Sequence, residues 1–309
     1  MRGTRSLALI GLALRPVLPG PWRRRVASWA VRRVPELSPL AFPQPSDDPV
    51  QSAARRDRGA IHLLRSLQHP TSRSPGPSEE LLGFVLGELT RGRQRPGSQL
   101  LQDLWVLYEL RGKERGFFVE FGACDGVALS NTLYLEREYG WTGLLAEPNP
   151  RYHEAMKANR RARFESRCVW DESGQTVKLV DCGELSTVEG CGTADGHAQA
   201  RESAARIEQI ETVGINDMLR HHGVPPAFDF LSIDTEGSEP RILAALDFDT
   251  YRPTCIAVEH NHTGTEKEID AILTRAGYRR VFASVSQWDA WYVRPPGRSC
   301  ESTSSGPST

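Results

Sequence analysis

Residues Phe117 to Gly126 read FFVEFGACDG, and this stretch decides the fold. Phe117, Phe118, Val119 and Phe121 form an aromatic and β-branched run of the kind that fills a buried parallel strand. Gly122 and Gly126 then allow a tight turn and close approach of a ligand. Glu120 and Asp125 bracket that turn with carboxylates. A loop that cradles pyrophosphate works through backbone N–H groups at a helix N-terminus, and flanking acids would repel the anion. The turn therefore suits a ligand that carries positive charge.

Working outward, a helical stretch leads to Trp141, Thr142, Gly143, Leu144, Leu145, Ala146 and Glu147, a second short apolar strand ending in an acid. Glu147 lies about 20 residues beyond Gly126, the interval at which an open α/β sheet places a carboxylate on ribose hydroxyls. S-adenosylmethionine, with a sulfonium, an ammonium and no phosphate, fits both the acids and the spacing. The spacing alone suits NAD equally well, but Asp125 and the absence of G-x-G-x-x-G argue against it. The candidate cofactor-binding residues are Glu120, Gly122, Asp125, Gly126 and Glu147. The plainer alternative is that the three acids only cap or solvate strand ends.

The pattern continues as alternating strands and helices. The helix entering the domain is Leu100 to Leu110, and helices are expected at Ser130 to Glu138, Pro150 to Arg161, Asn216 to His222, Glu239 to Leu246 and Glu266 to Ala276. Strands are expected at Phe117 to Phe121, Leu144 to Ala146, Arg167 to Trp170, Phe228 to Ile233 and Cys255 to Val258. Arg280 to Ser284 and Ala290 to Val293 read as an antiparallel pair. Residues 171–205, with Gly-rich stretches, suggest a hairpin or mobile loop over the site. The predicted fold class is α/β, a mostly parallel doubly wound sheet with a C-terminal antiparallel strand pair. Asp125, Glu147, Asp234 and Glu259 all fall at the carboxyl ends of strands, where such sheets bind ligands.

Two further motifs carry chemistry. DTEGSE, Asp234 to Glu239, places Asp234 where it could orient an acceptor, take its proton or contact an amine; capping the next helix is its plainer role. Glu236 and Glu239 read as helix-start acids. EHNH, Glu259 to His262, offers His260 as a second candidate catalytic residue, since a histidine titrates near neutral pH. A divalent ion held by Asp234, Glu259 and one histidine is conceivable, but two histidines are poor grounds for a metal, and none is expected.

The wording of these segments resembles the FkbM family of S-adenosylmethionine-dependent methyltransferases. The resemblance rests on FVEFGACDG, SNTLYLE (Ser130 to Glu136), GWTGLLAEPNP (Gly140 to Pro150) and FLSIDTEGSEPRIL (Phe230 to Leu243). SQLLQD, Ser98 to Asp103, is similar to the element that precedes the domain in one branch of that family. Cys124 stands where the wider methyltransferase pattern E-x-G-x-G-x-G has its middle glycine, a departure common among FkbM-like proteins. The resemblance implies a Rossmann-like class I methyltransferase core and S-adenosyl-L-methionine as cofactor. It also implies O-methylation of a hydroxyl on a glycan, polyketide or other secondary metabolite. A catalytically silent FkbM-like interaction module is the alternative.

Composition bounds the rest. A chain of 309 residues with a formal net charge of -1 gives no general case for nucleic-acid binding, and no basic groove with interleaved aromatics is evident. Residues 1–35 form a basic extension without acids, whose short apolar run cannot span a bilayer. That extension reads as a mitochondrial-type presequence, a short secretory signal or an unstructured leader. Residues 36–95 read as a Pro/Ser/Arg-rich linker with short helices at Ala60 to Gln68 and Glu79 to Thr90, residues 96–296 as the methyltransferase-like domain, and 297–309 as a disordered tail. Most cysteines read as reduced core thiols, although Cys182 and Cys191 could pair. The expected location is the cytoplasm, or the mitochondrion if the leader is a presequence. The expected partner is a small-molecule or glycan hydroxyl acceptor.

Overall fold

A computed structural model describes residues 79–91, 97–192, 201 and 206–295. The expected leader, the first linker helix and the C-terminal tail lie outside the described residues. Seven strands form the main sheet: β1 (Phe117–Phe121), β2 (Thr142–Ala146), β3 (Arg163–Glu165), β8 (Phe230–Ile233), β9 (Cys255–Glu259), β10 (Arg279–Val281) and β11 (Asp289–Val293). Their order is β10-β11-β9-β8-β1-β2-β3. The five strands β9, β8, β1, β2 and β3 run parallel, and β11 pairs antiparallel with both β9 and β10. This is a Rossmann-like α/β sheet of mixed pairing, mostly parallel with the expected antiparallel pair at one edge, and not a clean doubly wound parallel sheet.

Side-chain alternation along the strands builds the two faces. In β1, Phe118 joins one core cluster while Val119 and Phe121 join the other; in β9, Cys255 and Ala257 face the first while Ile256 and Val258 face the second. The first face is covered by α1 (Glu79–Thr90), α2 (Gln102–Glu109) and α3 (Leu133–Tyr139). Trp105 of α2 stacks on Trp291 of β11, with ring centroids 4.8 Å apart and planes 15° apart. Such a pair is worth about 0.5–1.5 kcal/mol beyond its buried area. The opposite face is covered by α5 (Ile215–His221), α6 (Glu239–Ala245) and α7 (Thr265–Arg275). Helix α4 (Pro150–Asn159) starts on Asn149, whose side chain accepts the Arg151 N–H, with Pro150 at the first helical position.

Three expectations are corrected. Cys168–Trp170 is β4 and does not belong to the main sheet; the third strand there is Arg163–Glu165, an edge strand whose mixed exposure hides its period. β4 instead starts a separate four-stranded sheet, β4-β7-β5-β6, with β5 (Thr176–Asp181), β6 (Thr187–Val188) and β7 (Arg206–Gly214). The expected hairpin within 171–205 is therefore half of a sheet, completed by a nine-residue strand that the sequence reading left unassigned. The cysteine pairing is also corrected, since Cys182 and Cys191 are not bonded to each other. Among the described residues no helix is long and apolar enough to cross a membrane.

Candidate active site

A cavity of about 1410 Å³ opens at the carboxyl ends of β1, β2, β8 and β9, roofed by the second sheet. Glu120, Gly122, Asp125, Glu147, Asp234 and Glu259 all line it; Gly126 and His260 do not. Leu179, Leu185 and Val188 of the second sheet supply apolar wall.

The β1 turn is held by backbone contact. Gly122 has φ +73°, and a Cβ there would lie 1.8 Å from the Asp234 carbonyl oxygen, so only glycine lets the turn pass under the end of β8. Gly126, at φ +76°, packs instead against Arg160, whose Cγ would meet an added Cβ at 2.6 Å. Glu147 lies behind the turn, buried; its Oε2 accepts the Cys124 N–H at 2.9 Å and its Oε1 the Asn149 N–H at 2.8 Å. Burial pushes the Glu147 carboxyl up to about 7, against the pull of those two N–H donors. Asp125 Oδ1 accepts from Val127 N and Ala128 N, each at 2.8 Å, closing an Asx turn. Burial, with Glu147 next, holds the Cys124 thiol protonated.

Glu120 lines the cavity and also braces the fold. Its carboxylate accepts from Asn131 N at 2.7 Å, from Ser130 Oγ at 3.0 Å and from the Thr132 hydroxyl, so its bonds tie β1 to the start of α3. Arg160, which the sequence reading passed over as the end of a helix, completes this knot. It donates to the Gly126 carbonyl at 2.9 Å, to Ser130 Oγ at 3.0 Å and to Glu136 at 3.2 Å, and its guanidinium lies 5.5 Å from the Phe118 ring. Asn131, also unread in the sequence, lines the cavity; its Nδ2 donates to Ser232 Oγ at 2.9 Å and its buried Oδ1 has no partner among the described residues.

At the other end, β8 and β9 bring Asp234 and Glu259 together, close enough for their carboxyls to share a hydrogen bond. Burial first, then the acids Glu236 and Asp289, raises the Asp234 carboxyl well above the carboxylate range, and burial with Asp234 does the same to Glu259. Glu239 serves the turn, accepting Thr235 N at 2.8 Å and Gly237 N at 3.0 Å. His260 is turned away: its Nε2 meets the Asp289 carbonyl at 3.0 Å and its Nδ1 accepts the His262 N–H at 3.0 Å. Both ring nitrogens are engaged, burial lowers its pKa, and the side chain does not line the cavity.

Two outer elements frame the cavity. Arg201 reaches from the second sheet's connection to Glu236 Oε2 at 2.7 Å, to the Leu185 carbonyl at 2.9 Å and to the Gly192 carbonyl at 2.7 Å. Thr187 of β6 donates to the Glu236 carbonyl at 2.7 Å, so the roof is fastened to the Asp234 loop on both sides. In the first turn of α2, buried Asp103 accepts from Ser98 Oγ at 2.6 Å and Gly97 N at 3.0 Å, and Gly97 and Ser98 lie on the cavity wall. Gln102 in turn donates to Asp289 at 2.7 Å. The SQLLQD element thus belongs to the rim of the site.

Comparison with known proteins identifies the domain. The sequence from residue 120 to 280 matches the profile of the methyltransferase FkbM domain, more than half of the chain. Among solved structures, the methyltransferase FkbM of Methylobacillus flagellatus KT is similar at 16% identity, over 89% of this chain and 71% of that one, with a TM-score of 0.40. The precorrin-6y C5,15-methyltransferase of Geobacter metallireducens GS-15 is similar at 12% identity, over 61% of this chain and 78% of that one, with a TM-score of 0.35. No curated protein matches. On the extent of the domain match, the chain belongs to the FkbM methyltransferase family.

Proposed function

We propose that this protein is an S-adenosylmethionine-dependent O-methyltransferase acting on a hydroxyl of a glycan or secondary metabolite. Family membership supports methyl transfer in general and a capacity for this cofactor. One observation carries the finer reading: Glu147 and the Asp234–Glu259 pair open onto the same cavity from its two ends. Its volume exceeds the roughly 300–1,000 Å³ typical of a single small-ligand pocket, leaving room for donor and acceptor together.

The residues fit the cofactor. Glu147 would accept ribose hydroxyls with the lone pairs its two backbone donors leave, and the orphaned Asn131 Oδ1 would accept from the ammonium. Gly122 keeps the turn clear of any side chain that would fill the cradle. When bound, S-adenosylmethionine supplies an activated methyl group, so the protein's own task is alignment and proton removal. Asp234 takes the acceptor's proton as the oxygen gains the methyl group. Burial among other acids raises the proton affinity of this carboxyl, which favours that role. The second sheet excludes water and presents Leu179, Leu185 and Val188 to the acceptor.

Isotope-labelled methyl transfer into a host metabolite or glycan extract tests this reading. The expected result is a labelled product with an O-methyl group, and loss of most turnover in Asp234→Asn with folding intact. Tight cofactor binding without transfer to any hydroxyl would instead favour a silent interaction module.

A further inference from the structure

Three carboxylates converge where β8 and β9 end. Asp234, Glu236 and Glu259 each offer one oxygen, and these three atoms lie within 4.8 Å of one another. A second observation points to what they hold. Glu259 is 9% exposed, lines the cavity, and its enclosed Oε2 receives no N–H or hydroxyl hydrogen bond among the described residues, where its neighbour is the Asp234 carboxyl. Two enclosed carboxyls facing each other without such a donor are costly unless they share a proton or a cation meets them. We propose that Asp234, Glu236 and Glu259 form a binding site for one hard divalent cation, Mg²⁺, Mn²⁺ or Ca²⁺.

The donor set selects the class of ion. It is all oxygen, without thiolate, and His260 has both ring nitrogens engaged, which argues against zinc or copper. Calcium–oxygen distances of about 2.3–2.6 Å set opposite ligands about 4.6–5.2 Å apart, and magnesium at about 2.0–2.1 Å sets them near 4.2 Å. Three oxygens spread over at most 4.8 Å suit this range. Arg201, 2.7 Å from Glu236 Oε2, orients that carboxylate from outside, as partners beyond the ligands of metal sites do. The ion replaces the histidine-containing set conceivable from sequence with three acids. In turnover it would bind and acidify the acceptor hydroxyl; that role, though not the binding itself, rests on the methyl-transfer reading above.

The test uses the full chain, stripped with chelator and titrated with Mn²⁺ by the electron paramagnetic resonance signal of the free ion. S-adenosylhomocysteine binding is measured by calorimetry on the same preparation. The expected result is one Mn²⁺ per chain with Kd below about 1 mM, displaced by Mg²⁺ or Ca²⁺. Losing a direct ligand in Glu259→Gln, and separately in Glu236→Gln, should weaken Mn²⁺ at least as much as the roughly 10–100-fold cost of losing an outer partner. Absence of stoichiometric binding in the wild type overturns the site without reference to any variant. Undiminished binding in folded Glu259→Gln overturns it too. Binding of S-adenosylhomocysteine without Mn²⁺ removes the cation site and leaves the methyl-transfer reading standing. Mn²⁺ binding without S-adenosylhomocysteine supports the cation site and counts against that reading.

Discussion

At the scale of single residues, Glu147 and Gly122 are the positions on which the cofactor reading turns. Replacing Glu147 by Ala removes the acceptor for ribose hydroxyls, and we expect cofactor affinity to fall by about 1–3 kcal/mol, measured by calorimetry with S-adenosylhomocysteine. The same residue gives a pH signature. Ribose hydroxyls donate to the ionised carboxylate, whose proton leaves at about 7 in the folded protein. Affinity should therefore rise between about pH 6 and 8 in the wild type and stay flat in Glu147→Gln. Gly122→Ala forces a methyl into the Asp234 carbonyl, and loss of cofactor binding with a lowered melting temperature is the expected outcome. The sequence made these two residues visible because a strand end, a glycine and an acid at a fixed interval have few other uses. It did not show that Glu120 faces inward to Ser130, Asn131 and Thr132, because a carboxylate at a strand end looks the same whether it meets ligand or backbone. Nor did it show that His260 is turned toward Asp289, since positive φ at Asn261 and His262 breaks the strand geometry that would have aimed it.

At the scale of elements, the second sheet is the part of the structure that matters most for the acceptor. Its anchor is the Arg201–Glu236 pair, with side chains 6% and 9% exposed. Breaking a buried pair from one side leaves the other charge uncompensated and typically costs about 3–5 kcal/mol. Arg201→Met should lower stability by that order in a denaturant titration, and should raise the acceptor KM more than it weakens the cofactor. The main-sheet strands were legible because two-sided burial writes continuous apolar runs such as FFVEF and CIAVE. β7 was not, because one face is exposed: Ile207 is 56% exposed and charges at Arg206, Glu208 and Glu211 break the run. β3 escaped for a similar reason, three residues at a sheet edge with only Glu165 buried. Short, half-exposed strands take their identity from their pairing partners, which lie far away in sequence.

At the scale of the whole molecule, the buried acids around the cavity set the pH response of stability. Burial raises Glu147 and Asp289 to about 7 and Asp103 to about 6. Each folded pKa exceeds its unfolded value, so this stabilisation is complete below about pH 4 and is lost as pH rises through 6 to 7. His260, whose pKa burial lowers, works in the opposite direction below its ordinary pKa and is outnumbered. Glu165 is lowered to about 2 by Arg167 and His222 in spite of its burial, so its contribution disappears as pH falls from the ordinary carboxylate range toward 2. Denaturant midpoints should accordingly peak near pH 5 and decline toward pH 8, and bound cofactor should reduce that decline by favouring ionised Glu147. The central claim is that the cavity at the ends of β1, β2, β8 and β9 holds S-adenosylmethionine, and calorimetric titration of the full chain with S-adenosylhomocysteine and, separately, with NAD tests it most directly. One S-adenosylhomocysteine bound per chain, weakened in Glu147→Ala, with no binding of NAD, is the predicted result; NAD binding in its place, or S-adenosylhomocysteine affinity unchanged in folded Glu147→Ala, would contradict it.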